Sequence, residues 1–144
     1  MKKTIAFMLL LVCALMCLTS CAPKEPADAR ALFKKEGYTA EIFNRSGDIE
    51  ERLDKFDVDE TNIEVIVEAF DWSIEGFMTF AYVIYCTDKK GAKYVESDII
   101  AFMENDLEEW LDLSTEGYGT NDFCVIRRGK IVIFGLKEIV DIVT

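Results

Sequence analysis

The sequence contains no histidine among its 144 residues. Catalysis by a Ser-His-Asp triad or a Cys-His pair is therefore excluded, as are histidine-containing zinc sites and acid–base chemistry by imidazole. Phosphate-binding motifs of the GxGxxG and P-loop types are also missing, and no CxxC pair occurs. These absences remove the common cofactor-binding and catalytic motifs, so we expect no cofactor and no catalytic residue.

Cysteine is scarce outside the first 21 residues. Three of the five cysteines, Cys13, Cys17 and Cys21, lie in that opening segment, which leaves Cys86 and Cys124 for the rest of the chain. Two thiols cannot build a thiolate metal cluster. In an exported protein they could form a disulfide, but both lie in apolar strand-like runs, where a free cysteine is a common small core residue.

The opening segment has the layout of a secretory signal. Lys2 and Lys3 are followed by 14 apolar residues from Ile5 to Leu18. As a helix this run would cover about 21 Å, which is short of the roughly 30 Å hydrocarbon core that a spanning helix must cross. The pattern therefore predicts a signal peptide over residues 1–20 that is cleaved from the mature protein.

The residues Leu18-Thr19-Ser20-Cys21 resemble the lipobox of bacterial lipoproteins, in which a branched apolar residue and two small ones precede a cysteine. In that family the cysteine thiol receives a diacylglyceryl group, and a peptidase then cuts just before it. The resemblance implies that Cys21 is lipidated and holds the protein on the outer surface of the cell membrane. The alternatives are an ordinary secretory signal or a buried apolar helix.

The lipobox also divides the chain. Residues 21–27 are predicted to be a lipidated tether, because the segment is polar and contains Pro23 and Pro26. Residues 28–144 are predicted to be a single domain, since that length suits one continuous hydrophobic core.

Negative charge dominates the composition, with 27 acidic against 16 basic residues. Without Lys2 and Lys3 the mature chain carries 14 basic residues and a formal net charge of −13. Such a body is repelled by nucleic acids and by anionic lipid surfaces, so nucleic acid is excluded as a partner. Affinity for divalent cations is an alternative to simple solvation, but Asp57-Val58-Asp59 lacks the glycine and distant glutamate of a calcium loop. We therefore predict no metal ligands.

Hydrophobic periodicity predicts alternating helices and strands. Gly37 is placed to end the first helix, and Asp48 with Glu51 resembles a capping box for the second. The third helix is long enough that a break near Ser97 or Asn105 is expected. The predicted helices cover 28–36, 48–56, 88–113 and a short stretch after 136, and the predicted strands cover 38–43, 62–70, 77–86, 122–127 and 130–135.

This order predicts an α+β domain of the ferredoxin-like split β-α-β type, with β-α-β-β-α-β followed by an extra hairpin strand and helix. Such a fold is an antiparallel sheet with strand order 4-1-3-2 and both long helices on one face. The strands of Cys86 and Cys124 would then lie about 9 to 10 Å apart, while a disulfide needs Cα atoms within about 7 Å. We therefore predict two free, buried thiols.

Beyond the lipobox, the chain resembles short, uncharacterised lipoproteins of Gram-positive gut bacteria. The residues that carry the likeness are Glu36-Gly37-Tyr38, the aromatic strand before Ala92-Lys93-Tyr94, and the Arg128-Gly129-Lys130 hairpin followed by Gly135. The resemblance spans most of the mature chain and implies no activity.

Two kinds of function remain open besides a divalent-cation-binding surface protein, the alternative raised by the acidic composition. A non-catalytic binding or assembly module of the cell envelope is the first, since Ile66 and Phe70 would lie on an open sheet face if the face of Val65 were covered. A homodimer or an envelope protein would bind there, unless the last hairpin and helix cover that face themselves. The second is a cell-wall hydrolase using paired carboxylates, although no pair is singled out among the acidic residues.

Overall fold

The computed structural model describes residues 22–71, 79–114 and 118–144, so the predicted signal peptide and Cys21 lie outside the described residues. Within these ranges no helix is long and apolar enough to span a bilayer. The helices are α1 (Pro26–Lys35), α2 (Ser46–Leu53), α3 (Lys89–Asn105), α4 (Leu107–Ser114) and α5 (Lys137–Val140), and the strands are β1 (Thr39–Phe43), β2 (Ile63–Asp71), β3 (Thr79–Cys86), β4 (Phe123–Arg128) and β5 (Ile131–Leu136).

The α+β class is confirmed, because the five strands form one antiparallel sheet that packs against helices. The strand order is β1-β2-β3-β5-β4. The predicted ferredoxin-like order 4-1-3-2 is not observed, since it requires the first strand to lie inside the sheet. Here β1 is an edge strand and pairs with β2 alone.

The connection between β1 and β2 explains this difference. Helix α2 has eight residues, about 12 Å, and a 3-10 turn over Asp54–Phe56 follows it. Asp57 then adopts the left-handed conformation with φ of 52°, and the chain turns back. Strand β2 therefore starts at the end of the sheet where β1 stops, and Phe43 pairs with Ile66. A helix spanning the sheet would have brought the chain to the other end and made these strands parallel.

The long third helix is broken, as expected near Asn105: α3 ends there and α4 begins at Leu107. The carboxylate of Asp88 caps α3 by accepting a hydrogen bond of 2.7 Å from the backbone N–H of Gly91. After β4, a tight turn with Gly129 at φ of 63° sends β5 back between β3 and β4. The positive φ is the conformation that glycine adopts without strain.

Of the two predicted helix ends, the one at Gly37 is confirmed and the one at Asp48 is not. Gly37 ends α1 at φ of 94°, and the backbone N–H of Tyr38 donates to the carbonyl of Phe33, as in a Schellman motif. The capping box at Asp48 is wrong, because α2 begins at Ser46 and its N-cap has no side-chain hydrogen bond. Asp48 instead lies in the first turn of α2, where its negative charge interacts favourably with the helix dipole.

Helices cover both faces of the sheet. On one face the strands align Glu68, Tyr82 and Phe134 in register, and the rings of Phe56 and Phe102 pack onto them. We call this the long-helix face, since α3 supplies Phe102. The opposite face has a buried row of β-branched residues and is covered by α1 and α5. That row consists of Val67, Val83 and Ile133.

The predicted open sheet face is wrong. Ile66 has 0% and Phe70 has 8% of its surface exposed, so neither is available to a partner. Ile66 and Phe70 lie on the long-helix face, because they alternate with Val67 in β2. The N-terminal and C-terminal helices cover the other face, so helices of the same chain cover both faces of the sheet.

Replacing Phe56 by Ala is expected to lower the free energy of unfolding by about 3–5 kcal/mol, since the buried ring contacts Tyr82, Phe102 and Phe134. Denaturant titration followed by circular dichroism measures the loss. The control is Leu32→Ala, at a residue 38% exposed, which should stay within about 0.5 kcal/mol of the parent. Equal losses in the two variants would contradict this account of the core.

Candidate functional site

The segment that follows Cys21 packs against the sheet. Ala22 is 6% exposed, Pro23 is buried, and helix α1 begins at Pro26. The hydroxyl of Tyr85 donates a hydrogen bond of 2.9 Å to the carbonyl of Pro23. Within the predicted tether of residues 21–27, the part from Ala22 onward is thus held on the domain by a buried contact and by the start of α1.

Tyr85 explains why the segment lies there. This phenol is buried in β3, and burial raises its pKa, with the charges of Asp28 and Glu25 adding to the effect. The hydroxyl therefore remains a protonated donor, and a buried donor needs an acceptor. The carbonyl of Pro23 is that acceptor. A tyrosine hydroxyl in a largely apolar strand was the sequence signal for a nearby polar partner.

Cys86 and Cys124 are free thiols, as predicted, but only Cys86 is buried, and Cys124 is half-buried in the edge strand β4. Their strands β3 and β4 are separated by one strand, as expected, but that strand is β5 and not the first strand. Burial raises the pKa of Cys86 to about 12, and Asp88 and Glu64 contribute in the same direction. Burial also raises the pKa of Cys124. Neither thiol has the lowered pKa of a nucleophilic cysteine.

The most deeply buried charged group of the described chain is the carboxylate of Glu68, which is 6% exposed at the middle of β2. The hydroxyl of Tyr82 donates to Glu68 Oε1 over 3.0 Å, and Arg52 Nη1 lies 3.2 Å from Glu68 Oε2. The guanidinium of Arg52 also lies 4.6 Å from the centroid of the Phe43 ring. Sequence reasoning missed this group, although a glutamate between Ile66 and Phe70 on one strand face was a visible signal.

A second cation, Lys55, lies near Tyr82 and Glu68. Much of the Lys55 side chain is exposed, but its ammonium lies 4.9 Å from the ring centroid of Phe56, 5.9 Å from that of Tyr82 and 5.6 Å from that of Trp110. Desolvation lowers the pKa of Lys55, although the Glu68 carboxylate acts in the opposite direction. Contacts of this kind between a cation and aromatic rings are favourable.

This cluster compensates a buried charge. Burial raises the pKa of Tyr82 well above its usual value, and the Glu68 carboxylate contributes to the shift. The Tyr82 hydroxyl therefore stays protonated and donates its hydrogen bond to Glu68. A buried carboxylate is costly unless a donor and an opposite charge compensate it. Tyr82 donates a hydrogen bond to Glu68 Oε1, and the Arg52 guanidinium lies within ion-pair distance of Oε2, which is buried and accepts no hydrogen bond from the described chain.

Two half-open grooves of the described chain are lined by further carboxylates. One, of about 250 Å³, runs between Lys55 and α3 and is lined by Asp57, Asp98 and Asp106. The other, of about 290 Å³, is lined by five acidic residues and Val58. Those five residues are Glu50, Asp54, Asp57, Asp59 and Glu60.

Asp98 lines the first groove, and its carboxyl is influenced by the charges of Asp57 and Asp59, which line the second. Burial raises the pKa of its carboxyl, and the charges of Asp57 and Asp59 add to this, while a hydrogen bond from the Asp59 backbone opposes it. Within residues 22–71, 79–114 and 118–144, however, no group of three or more ligand-type side chains is arranged to hold a metal ion. All three residues of the Asp57-Val58-Asp59 segment line the second groove.

Comparisons of the chain with protein-family models, with curated proteins and with solved structures found no match. Function must therefore be argued from the chemistry of the residues and from their arrangement.

Replacing Tyr82 by Phe is expected to destabilise the fold by about 1–3 kcal/mol, because the buried Glu68 carboxylate loses a hydrogen-bond donor while the ring packing is kept. Urea titration provides the measurement. The matched control is Tyr94→Phe at an exposed position, where a change within about 0.5 kcal/mol is expected. A Tyr82→Phe variant as stable as this control would refute the compensation of Glu68.

Alkylation should distinguish the two thiols. At pH 8 a thiol of pKa about 12 is ionised in about one molecule in ten thousand, so native Cys86 should react with iodoacetamide far more slowly than half-buried Cys124. Peptide mass spectrometry over a time course measures both rates, and the unfolded chain, in which the rates should converge, is the control. Faster reaction at Cys86 would show that its side chain is accessible.

Proposed function

We propose that the chain is a lipoprotein of the cell envelope, anchored through Cys21 outside the cytoplasm, and that its folded domain is a non-catalytic binding or assembly module. The single observation that carries the proposal is the lipobox Leu18-Thr19-Ser20-Cys21 behind a basic start and an apolar run. Two or more acyl chains on one cysteine hold a protein stably at a bilayer without a spanning helix.

The contacts at Ala22 and Pro23 support this proposal. The folded domain begins directly after the residue that would carry the lipid, with Pro23 bonded to Tyr85. Cleavage before Cys21 would leave the hydrogen bond between Pro23 and Tyr85 in the mature chain.

The chemistry of the domain supports a binding role over a catalytic one. The buried Glu68 is engaged by Tyr82 and Arg52, and both described thiols have raised pKa values. A hydrolase with two carboxylates needs one of them in a dry cleft that also admits substrate. The two carboxylate-lined grooves described above are half-open to solvent, and the buried Glu68 lines neither of them.

The surface that meets a partner is then a sheet edge or the outside of a helix. Strands β1 and β4 are the two edges, and an edge strand can pair with an added strand from another chain. Helices α1 and α5 cover one face of the sheet and α2 and α3 cover the other, so neither face is open to a second copy of the chain.

Replacing Cys21 by Ser is expected to abolish lipid attachment and release the domain from the membrane fraction, because the apolar run alone is too short to span a bilayer. Incorporation of a labelled fatty acid and cell fractionation measure the two effects. Cys17→Ser, the same substitution four residues earlier, should keep both the label and the membrane association. Labelling of the Cys21→Ser variant, or its retention in the membrane, would refute the proposed anchor.

A further inference from the structure

An ammonium group lies among three aromatic rings on the long-helix face. Lys55 Nζ is 4.9 Å from the ring centroid of Phe56, 5.9 Å from that of Tyr82 and 5.6 Å from that of Trp110. The rings come from the 3-10 turn, from β3 and from α4, and the planes of Phe56 and Tyr82 meet at 77°. The cation is therefore faced by rings from more than one direction. We call Phe56, Tyr82 and Trp110 the cage.

The ammonium of Lys55 has given up part of its contact with water. Lysine side chains usually lay their methylene stem on apolar surface and keep the charged end in the solvent. Lys55 is an exposed residue, yet its ammonium lies over the rings, and desolvation lowers its pKa. The cage thus already holds a cation, although that cation is strongly hydrated by nature.

The buried carboxylate of Glu68 adds a negative charge beside the cage. Tyr82 connects the two, since its ring belongs to the cage and its hydroxyl donates to Glu68 Oε1 over 3.0 Å. Glu68 Oε2 is buried and accepts no hydrogen bond from the described chain, although Arg52 Nη1 lies 3.2 Å away. The Glu68 charge favours the charged form of Lys55. Aromatic rings and a nearby carboxylate are the two features that attract an organic cation.

A half-open groove meets the cage at Lys55 and Phe56. It is the groove of about 250 Å³ described above, which these two residues line together with Phe102 and with the carboxylates of Asp98 and Asp106. Lys55 is exposed and carries its ammonium on a flexible four-carbon stem, so the ammonium can swing into the solvent while the fold is kept. A ligand that enters along the groove can then take its place.

We propose that the cage is a binding site for a small, soluble quaternary ammonium compound, and that Lys55 is a plug which this ligand displaces. The inference rests on the proposed binding module and names its class of ligand. A quaternary ammonium is recognised by aromatic cages and loses less hydration than a lysine ammonium between the rings. A phosphate on the ligand would be repelled by Asp57, Asp98 and Asp106 along the groove, which disfavours a phospholipid headgroup.

The test titrates the full chain, purified in an uncharged maltoside detergent, with choline at constant ionic strength. Choline should shift the NMR signal of the Trp110 indole N–H, which is assigned by its absence from Trp110→Leu. Dimethylbutanol, the neutral carbon isostere of choline, should bind at least about tenfold more weakly, because it lacks the charge that the rings attract. Equal binding of the two compounds, or a Trp110 signal that choline does not move, would overturn the cation site.

A matched pair of variants tests the plug. Lys55→Ala removes the competing ammonium and should bind choline about tenfold more tightly than the parent protein. Lys34→Ala removes the same charge from the exposed surface of α1 and should bind choline as the parent does. Circular dichroism shows whether each variant is folded, and the comparison of choline with its isostere in the parent carries the test without either variant. Equal affinities of the two variants would overturn the plug.

Phosphocholine separates the two sources of a quaternary ammonium group. It should bind several-fold more weakly than choline, since its phosphate would lie near the groove carboxylates. Tighter binding of phosphocholine would overturn the assignment to a soluble compound without phosphate. The mass of the N-terminal peptide in the same preparation tests the anchor separately. A lipidated protein that does not bind choline would overturn the cage while leaving the anchor intact, and an unlipidated one that binds choline would do the reverse.

Discussion

The ring of Phe56 meets the rings of Tyr82, Phe102 and Phe134 edge-on, with centroids 4.9 to 5.6 Å apart. These partners come from the sheet and from the long helix α3, so one side chain joins both layers on that face. Phe56 lies in the 3-10 turn at which the chain reverses after α2. Burying this ring therefore also fixes the return path that makes β1 and β2 antiparallel neighbours.

The residues on either side of Phe56 depend on the same turn. Lys55 places its ammonium over the aromatic cluster and near Glu68, while Asp57 takes the left-handed conformation that redirects the backbone. The buried carboxylate of Glu68 thus lies beneath a segment that supplies Arg52 and Lys55 from one side. Because the fold provides these charges locally, a glutamate is tolerated in the centre of a sheet that is otherwise apolar.

Local patterns in the sequence predicted the elements well, because alternation, helical spacing and Gly37 are properties of neighbouring residues. Strand order depends instead on where a connection delivers the chain, and no local pattern reveals that the eight-residue α2 turns back. The same limit applies to the site. The lipobox is a contiguous motif, whereas the pairing of Glu68 with Tyr82 and the contact of Pro23 with Tyr85 join residues 14 and 62 positions apart.

The contact between Pro23 and Tyr85 changes what an anchor at Cys21 could do. A free tether of six residues would let the domain move by roughly 13 Å and tumble above the bilayer. With Ala22 and Pro23 held on the sheet, a lipid on Cys21 would instead keep the domain close to the bilayer and limit its rotation.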